Sequence, residues 1–407
     1  MLTRRDMLSM TLASGAAAAL ARFAKADYRV APMRERSAAK KILILGGTGF
    51  LGPACTDAAL ARGHAVTHFN RGARETMRKA RGRPSMVPGG VETLYGNRDP
   101  NLTADDWKKD LVKDGPKDPD SPKGLSQLEG KKWDAVIDTS GYFPRMVKAS
   151  AELLAPNVSQ YVFISSISVY KDNDKPDQDE SAELGILKDP AVETMGANFE
   201  NYGPAKNACE QAAEKAMPGR VANIRPGFIV GPRDTTARFQ YWPSRVSAGG
   251  EMAIPGTPHD PIQIIDVRDL AEWLIHLIET NTNGEFNATG PGEQPLTFER
   301  MLHGCKAGLK TDSTFTWIDP GFIKSQGLSP DMFPLWIPPE GESAGFHKRS
   351  IKRAIAAGLK FRPVEDTARA TMDWFNTLPP AIQKDIVKLL DPDREADLLK
   401  AWHARKA

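Results

Sequence analysis

The chain alternates between short apolar runs and longer segments that keep their apolar residues on one helical face. The first run, Lys41 to Leu45 (Lys-Ile-Leu-Ile-Leu), has the pattern of a strand buried on both sides in a parallel sheet. It ends in a glycine cluster, after which Pro53 to Arg62 reads as an Ala-rich helix closed by Gly63. A second strand, Ala65 to Phe69, follows at once and completes a strand–helix–strand unit at its usual spacing. Trp133 to Ile137, Tyr161 to Ile164 and Val221 to Ile224 predict further strands, with helices over Met146 to Leu154 and Ala205 to Ala216. This alternation predicts a parallel α/β sheet spanning residues 41–225.

Two segments interrupt the alternation. Lys113 to Gly124 is rich in Pro, Lys and Asp and reads as a solvated loop. Lys171 to Asn201 carries nine carboxylates against three lysines and reads either as a lid or as a surface excursion. Past Arg225 Pro and Gly become frequent, and residues 226–385 read mostly as a smaller, loop-rich domain. Within it, a helix over about 265–280 is expected to pack back on the first domain, and Pro330 to Pro339 is Pro- and aromatic-rich. Residues 386–407 predict an amphipathic C-terminal helix, and 27–40 a polar, basic linker.

Composition narrows the function. An apolar fraction of 41% supports a sizeable core. Net charge is +3, from 54 basic and 51 acidic residues, so there is no electrostatic case for nucleic acid or an anionic membrane surface. The three cysteines, Cys55, Cys209 and Cys305, are far apart, which implies neither a disulfide framework nor a zinc site. The seven histidines are scattered, and no metal is expected. Residues 1–26 resemble a bacterial twin-arginine (Tat) export signal: Arg4-Arg5, then a mildly apolar Ala-rich stretch, then Ala24-Lys25-Ala26. That stretch is too short and too weakly apolar for a membrane anchor. The expectation is passage through the Tat machinery to the periplasm or the medium, with a cytoplasmic enzyme as the alternative.

Candidate chemistry begins at the first glycine cluster. Gly46-Gly47-Thr48-Gly49-Phe50-Leu51-Gly52 directly follows the first strand and opens the first helix. Glycines at 46, 49 and 52 let the backbone approach a pyrophosphate, which the helix N-terminus favours through its unpaired N–H groups and its dipole. Placed between strand and helix, this pattern predicts a Rossmann doubly wound parallel sheet that binds a dinucleotide, with the smaller C-terminal domain holding substrate. A carboxylate at the end of the second strand would favour NAD. Asn70 stands there instead, followed by Arg71 and Arg74, so NADP is expected over NAD. Asn97, after the third strand, is a candidate adenine contact.

Tyr202 and Lys206 are four apart at the start of a helical pattern, on one face, so an ammonium is expected near a phenol. A nearby cation lowers a tyrosine's pKa and suits Tyr202 to acid–base work on a hydroxyl/carbonyl pair, while Lys206 can also hold the cofactor ribose. Upstream, Ser165 and Ser166 end a buried strand, where a hydroxyl points into the ligand crevice, and Ser166 is a candidate to hold the substrate oxygen.

With these motifs in order, the chain resembles the extended short-chain dehydrogenase/reductase (NAD-dependent epimerase/dehydratase) family. The likeness is carried by Gly46–Gly52, Ser165–Tyr170, Tyr202–Lys206, Arg225–Pro232 and Asp266–Ala271. Gly96–Asp99 and Asp138–Gly141 are similar to an atypical branch that includes the stem-loop-binding proteins. The resemblance implies a catalytic set of Tyr202, Lys206 and Ser166 with hydride transfer to or from a nicotinamide, on a sugar-like or other carbonyl substrate. Relatives grip nucleotide-sugar diphosphates with arginines of the second domain, and Arg233, Arg238, Arg245 and Arg268 are the corresponding candidates; family members often form homodimers. The rival expectation is a non-catalytic dinucleotide-binding module with an RNA or protein partner.

Overall fold

The computed structural model describes residues 38–80, 85–101, 124–234, 236, 238–291, 295–329, 332–386 and 390–405. The export-signal segment 1–26, most of the 27–40 linker and nearly all of the 113–124 loop lie outside the described residues. The strands in chain order are β1 (Lys41–Leu45), β2 (Ala65–Asn70), β3 (Glu92–Tyr95), β4 (Trp133–Asp138), β5 (Val158–Ile164), β6 (Val221–Pro226), β7 (Phe228–Val230), β8 (Glu251–Pro255), β9 (Ile264–Asp266), β10 (Gly284–Ala288) and β11 (Thr314–Ile318). Seven of them form one sheet in the order β10-β6-β5-β4-β1-β2-β3, with every pairing parallel. Strand order reverses between β1 and β4, the place where a doubly wound sheet opens a ligand crevice at its carboxyl edge.

Period-two alternation divides the core. Ile42 and Ile44 of β1 join the cluster that receives α1 (Leu51–Ala61), and Leu43 and Leu45 join the opposite one. Labelled on in chain order, the next helices are α2 (Ala73–Ala80), α3 (Pro144–Leu154), α4 (Tyr202–Ala216), α5 (Tyr241–Ser247), α6 (Val267–Thr280) and α7 (Phe298–Leu309). Helix α6 lies with α1 on the first face, burying Leu270, Leu274 and Leu277, and begins at Asp266, whose carboxylate accepts from the Arg268 N–H. α3 and α4 cover the other face through Val147, Ala151, Cys209 and Ala213. The sequence pattern does not predict strand β10. Its sequence, Gly-Glu-Phe-Asn-Ala, has no apolar run, and it closes the sheet edge beside β6.

The later part of the chain has its own core around Trp242, Phe298 and Phe333, flanked by the pairs β8–β11 and β7–β9. Helix Pro392–Ala404 adds Leu398 and Trp402 to that core, near the expected C-terminal helix. Of the acidic segment, residues 173–178 are strapped to residues 345–350: Gly345 N–H donates to Asn173 O (2.7 Å), Asp177 N–H to Lys348 O (2.7 Å) and Ser350 N–H to Gln178 O (3.0 Å). The Arg349 guanidinium completes the strap with bonds to Gln178, Asn173 and the Asp172 carbonyl. Among the described residues no helix is long and apolar enough to cross a membrane.

One buried charge pair bridges the reversal point. Arg98, in the segment after β3, reaches Asp138 at the end of β4 with two bonds (2.6 and 2.8 Å), both residues being buried. Tyr161 O–H donates to the same carboxylate (2.7 Å), and Arg98 also donates to Ser150 (2.9 Å). Arg98 holds the Asp138 carboxyl below the usual carboxylate range despite a burial effect in the opposite direction. Removing one partner strands the other charge in the interior. Arg98→Met is therefore expected to lower stability by about 3–5 kcal/mol, and the double variant Arg98→Met/Asp138→Leu to recover much of that loss. Urea unfolding measures both, and additive losses in the double variant would contradict the coupling.

Candidate functional site

The crevice is built first from backbone. β1 runs into Gly46, whose φ of +93° turns the chain and whose N–H donates to Phe69 O (3.0 Å). A Cβ on Gly52 would stand 2.5 Å from Gly46 O, so only glycine lets α1 begin this close to the strand end. A Cβ on Gly47 would meet the His68 ring at 2.5 Å. Thr56 Oγ1 donates to Gly52 O (2.9 Å), so its contact with His68 Nε2 (2.7 Å) makes the imidazole the donor. Burial pushes the His68 pKa down to about 4, and the neutral ring buttresses the loop from beneath. The loop thus approaches the α1 N-terminus as a bare backbone surface, with Thr48 and Leu51 buried and Phe50 partly so.

Asn70 closes β2, and neither its amide nitrogen nor its oxygen has a partner among the described residues although both are buried. An unmet buried amide costs about 1–3 kcal/mol. A ribose hydroxyl would satisfy it, so this position and the bare glycine loop fit an adenine dinucleotide. Arg71 and Arg74 are exposed beside it. The Asn97 oxygen accepts from Asp99 N–H (3.0 Å), which commits it to a turn.

The candidate catalytic groups meet at the end of β5. Ser165 N–H donates to Ile224 O (2.6 Å), while its buried hydroxyl has no partner among the described residues. Ser166 Oγ accepts from Ser168 N–H (3.1 Å), which starts a tight turn. Tyr202 is the first residue of α4, and Gly203 abuts the carbonyl of Ser168, a space that no side chain could share. That contact sets the phenol beside Ser166. Burial raises the Tyr202 pKa, while the Ser166 hydroxyl and the Arg238 guanidinium act to lower it.

Lys206, one helical turn after Tyr202, is held by backbone carbonyls. Its buried ammonium donates to Gly141 O (2.7 Å) and Ile164 O (2.6 Å), between the rings of Phe163 and Tyr142. Burial pushes its pKa down to about 8. In this geometry Lys206 ties the loop after β4 to the end of β5. Arg238 stacks 4.8 Å from the centre of the Phe228 ring. The other arginines are engaged elsewhere: Arg245 with Glu395, Arg268 with Asp266 and Arg233 with Asp57. Nothing in the local spacing separates Arg238 from these three, and Tyr142 and His68 likewise carry no sequence signal.

Comparison with known proteins agrees with this architecture. The chain is 28% identical over 278 residues to the chloroplast stem-loop binding protein of 41 kDa b of Arabidopsis thaliana, covering 67% of this chain and 64% of that one, less than two thirds of the relative's length. Its fold is similar to that of the Bordetella bronchiseptica enzyme WbmH in complex with NAD+, with a TM-score of 0.54 at 15% identity, covering 83% of this chain and 99% of that one. It is also similar to Thermus thermophilus UDP-glucose 4-epimerase in complex with NAD, with a TM-score of 0.51 at 16% identity, covering 83% and 100%. Residues 42–289 match the model of the NAD dependent epimerase/dehydratase family, and the chain belongs to that family.

Proposed function

We propose that this protein is an NAD(P)-dependent epimerase/dehydratase or reductase that acts on a secondary alcohol or carbonyl of a sugar-like substrate. The observation that carries the reading is the Tyr202 phenol beside the Ser166 hydroxyl at the carboxyl end of β5, where Lys206 also bonds the Ile164 carbonyl. Family membership and NAD-bound structural neighbours support the cofactor class. The Gly46–Gly52 backbone would hold the pyrophosphate, and Asn70 with Arg71 the adenosine ribose or its 2′-phosphate. When bound, the nicotinamide supplies or accepts the hydride. Tyr202 moves the proton at the substrate oxygen, and Ser166 holds that oxygen by hydrogen bonding. Lys206 positions the Gly141 loop and β5 around the reacting groups.

The raised Tyr202 pKa sets a direction. A phenol that is neutral near pH 7 is ready to donate to a carbonyl being reduced, whereas oxidation needs the phenolate. Oxidation is therefore expected to speed up as pH rises towards the phenol's pKa, and reduction to slow over the same range. Export by the Tat route, proposed from Arg4-Arg5 and the stretch after them, favours a free sugar or glycoside over a nucleotide sugar. The similarity to a stem-loop binding protein favours a second reading, an RNA-binding module that keeps the dinucleotide site. RNA binding with a steep salt dependence and no hydride transfer would support that reading instead.

Two measurements follow. Tyr202→Phe is expected to lower kcat about 10²–10⁴-fold on any turned-over sugar, glycoside or nucleotide sugar, with cofactor affinity unchanged. An unaltered kcat would remove Tyr202 from the chemistry. In fluorescence titrations NADPH is expected to bind more tightly than NADH, and Arg71→Ala to weaken NADPH alone by about tenfold, near 1.4 kcal/mol. Equal affinities that Arg71→Ala leaves equal would contradict the NADP preference, and tighter NADH binding would assign the site to NAD.

A further inference from the structure

A cavity of about 560 Å³ that shares no lining residue with the glycine loop lies between the β8–β9 connection, Pro291 with Pro295–Thr297, and residues 347–356. Most of that lining lies outside the span of the family model, which ends at residue 289. Its apolar surface comes from Ile262, Leu296, Ile351 and Ile355, the first three buried and Ile355 partly exposed. A volume of this size with apolar walls is that of a small-molecule site.

The polar groups on the wall fall into two sets. His347 is already committed: Nδ1 accepts from Gln263 N–H (3.0 Å), so Nε2 donates to Leu335 O (3.0 Å). It asks nothing of a ligand. Lys348 and Lys352 are exposed on the lining, and among the described residues neither ammonium has a carboxylate partner. Buried Arg349 adds a third positive charge on the same wall, bonded to amide and carbonyl oxygens. Against these stands Asp177, whose main chain is strapped to Lys348. The wall is thus apolar within and positive at its edge.

We propose that this cavity is a binding site for a small apolar molecule ending in a carboxylate, with the apolar body against Ile262, Leu296 and Ile351 and the carboxylate at Lys348 and Lys352. The apolar inner wall of Ile262, Leu296 and Ile351 offers a polar base and ribose no hydrogen-bonding groups, which disfavours a nucleotide diphosphate. The site stands apart from the catalytic reading. His347 touches Phe228, with ring centres 5.7 Å apart, and Phe228 carries Arg238, so His347 and Phe228 stand between the cavity and that guanidinium.

The test is isothermal titration of the full chain with decanoate, decanol and UDP-glucose. Decanoate is expected to bind about fivefold more tightly than decanol, and Lys348→Ala/Lys352→Ala to abolish that difference. Ile355→Trp, and Ala356→Trp at an exposed position on the same lining, are expected to block both ligands. NADPH titration of each variant reports whether it has folded. The proposal is overturned if decanoate fails to bind, if it binds no better than decanol, if its binding survives both tryptophan variants, or if these variants remove UDP-glucose binding instead.

Discussion

The crevice depends on a buried charge pair at the point where the sheet reverses. Arg98 comes from beyond β3 at one edge of the sheet, and Asp138 ends β4 on the far side of β1. Joining them draws the two wings of the sheet together over the end of β1. The Asp138 carboxylate also accepts from Ser140 N–H (3.0 Å), and Thr139 Oγ1 donates to Leu45 O (3.0 Å) and Gly46 O (3.1 Å). The glycine loop is therefore fixed to β4 by side chains as well as to β2 by its backbone. A charge taken out of water this completely is costly unless its bonds are met, and here the bonds that meet it are those that shape the binding surface.

The same logic governs the catalytic end. Lys206 donates from its ammonium to the carbonyls of Gly141 and Ile164, which joins the loop after β4 to the end of β5. Gly203 lets α4 begin against the Ser166–Ser168 turn, which fixes the phenol relative to the serine hydroxyl. Acid–base groups held this way lose little freedom when a substrate arrives, the condition under which positioning contributes to rate.

What was legible in the sequence was local. Lys-Ile-Leu-Ile-Leu and the glycines after it declare a buried strand, a tight turn and a helix start within a dozen residues, and the structure has all three. Helix α6 was legible from its apolar face. β10 was not, because its polar residues are satisfied by partners remote in sequence: Asn287 accepts from Tyr170 O–H (2.6 Å) and its N–H donates to Glu180 (2.8 Å). Arg238 is one of four equal candidates in the sequence, and only the fold sets it on Phe228 while the other three pair with carboxylates. Lys206 was placed on the right helix face, but the carbonyls that capture it come from β5 and the loop after β4, which no spacing rule reveals.

The central claim is that the bare backbone between Gly46 and Gly52, with the unmet amide of Asn70, is a dinucleotide site. Mass spectrometry of small molecules released from the purified native protein tests it most directly, followed by titration of the stripped protein with NADP and NAD. The account predicts bound nicotinamide dinucleotide, or stoichiometric uptake on titration. A protein that carries no nucleotide and takes up neither would contradict it.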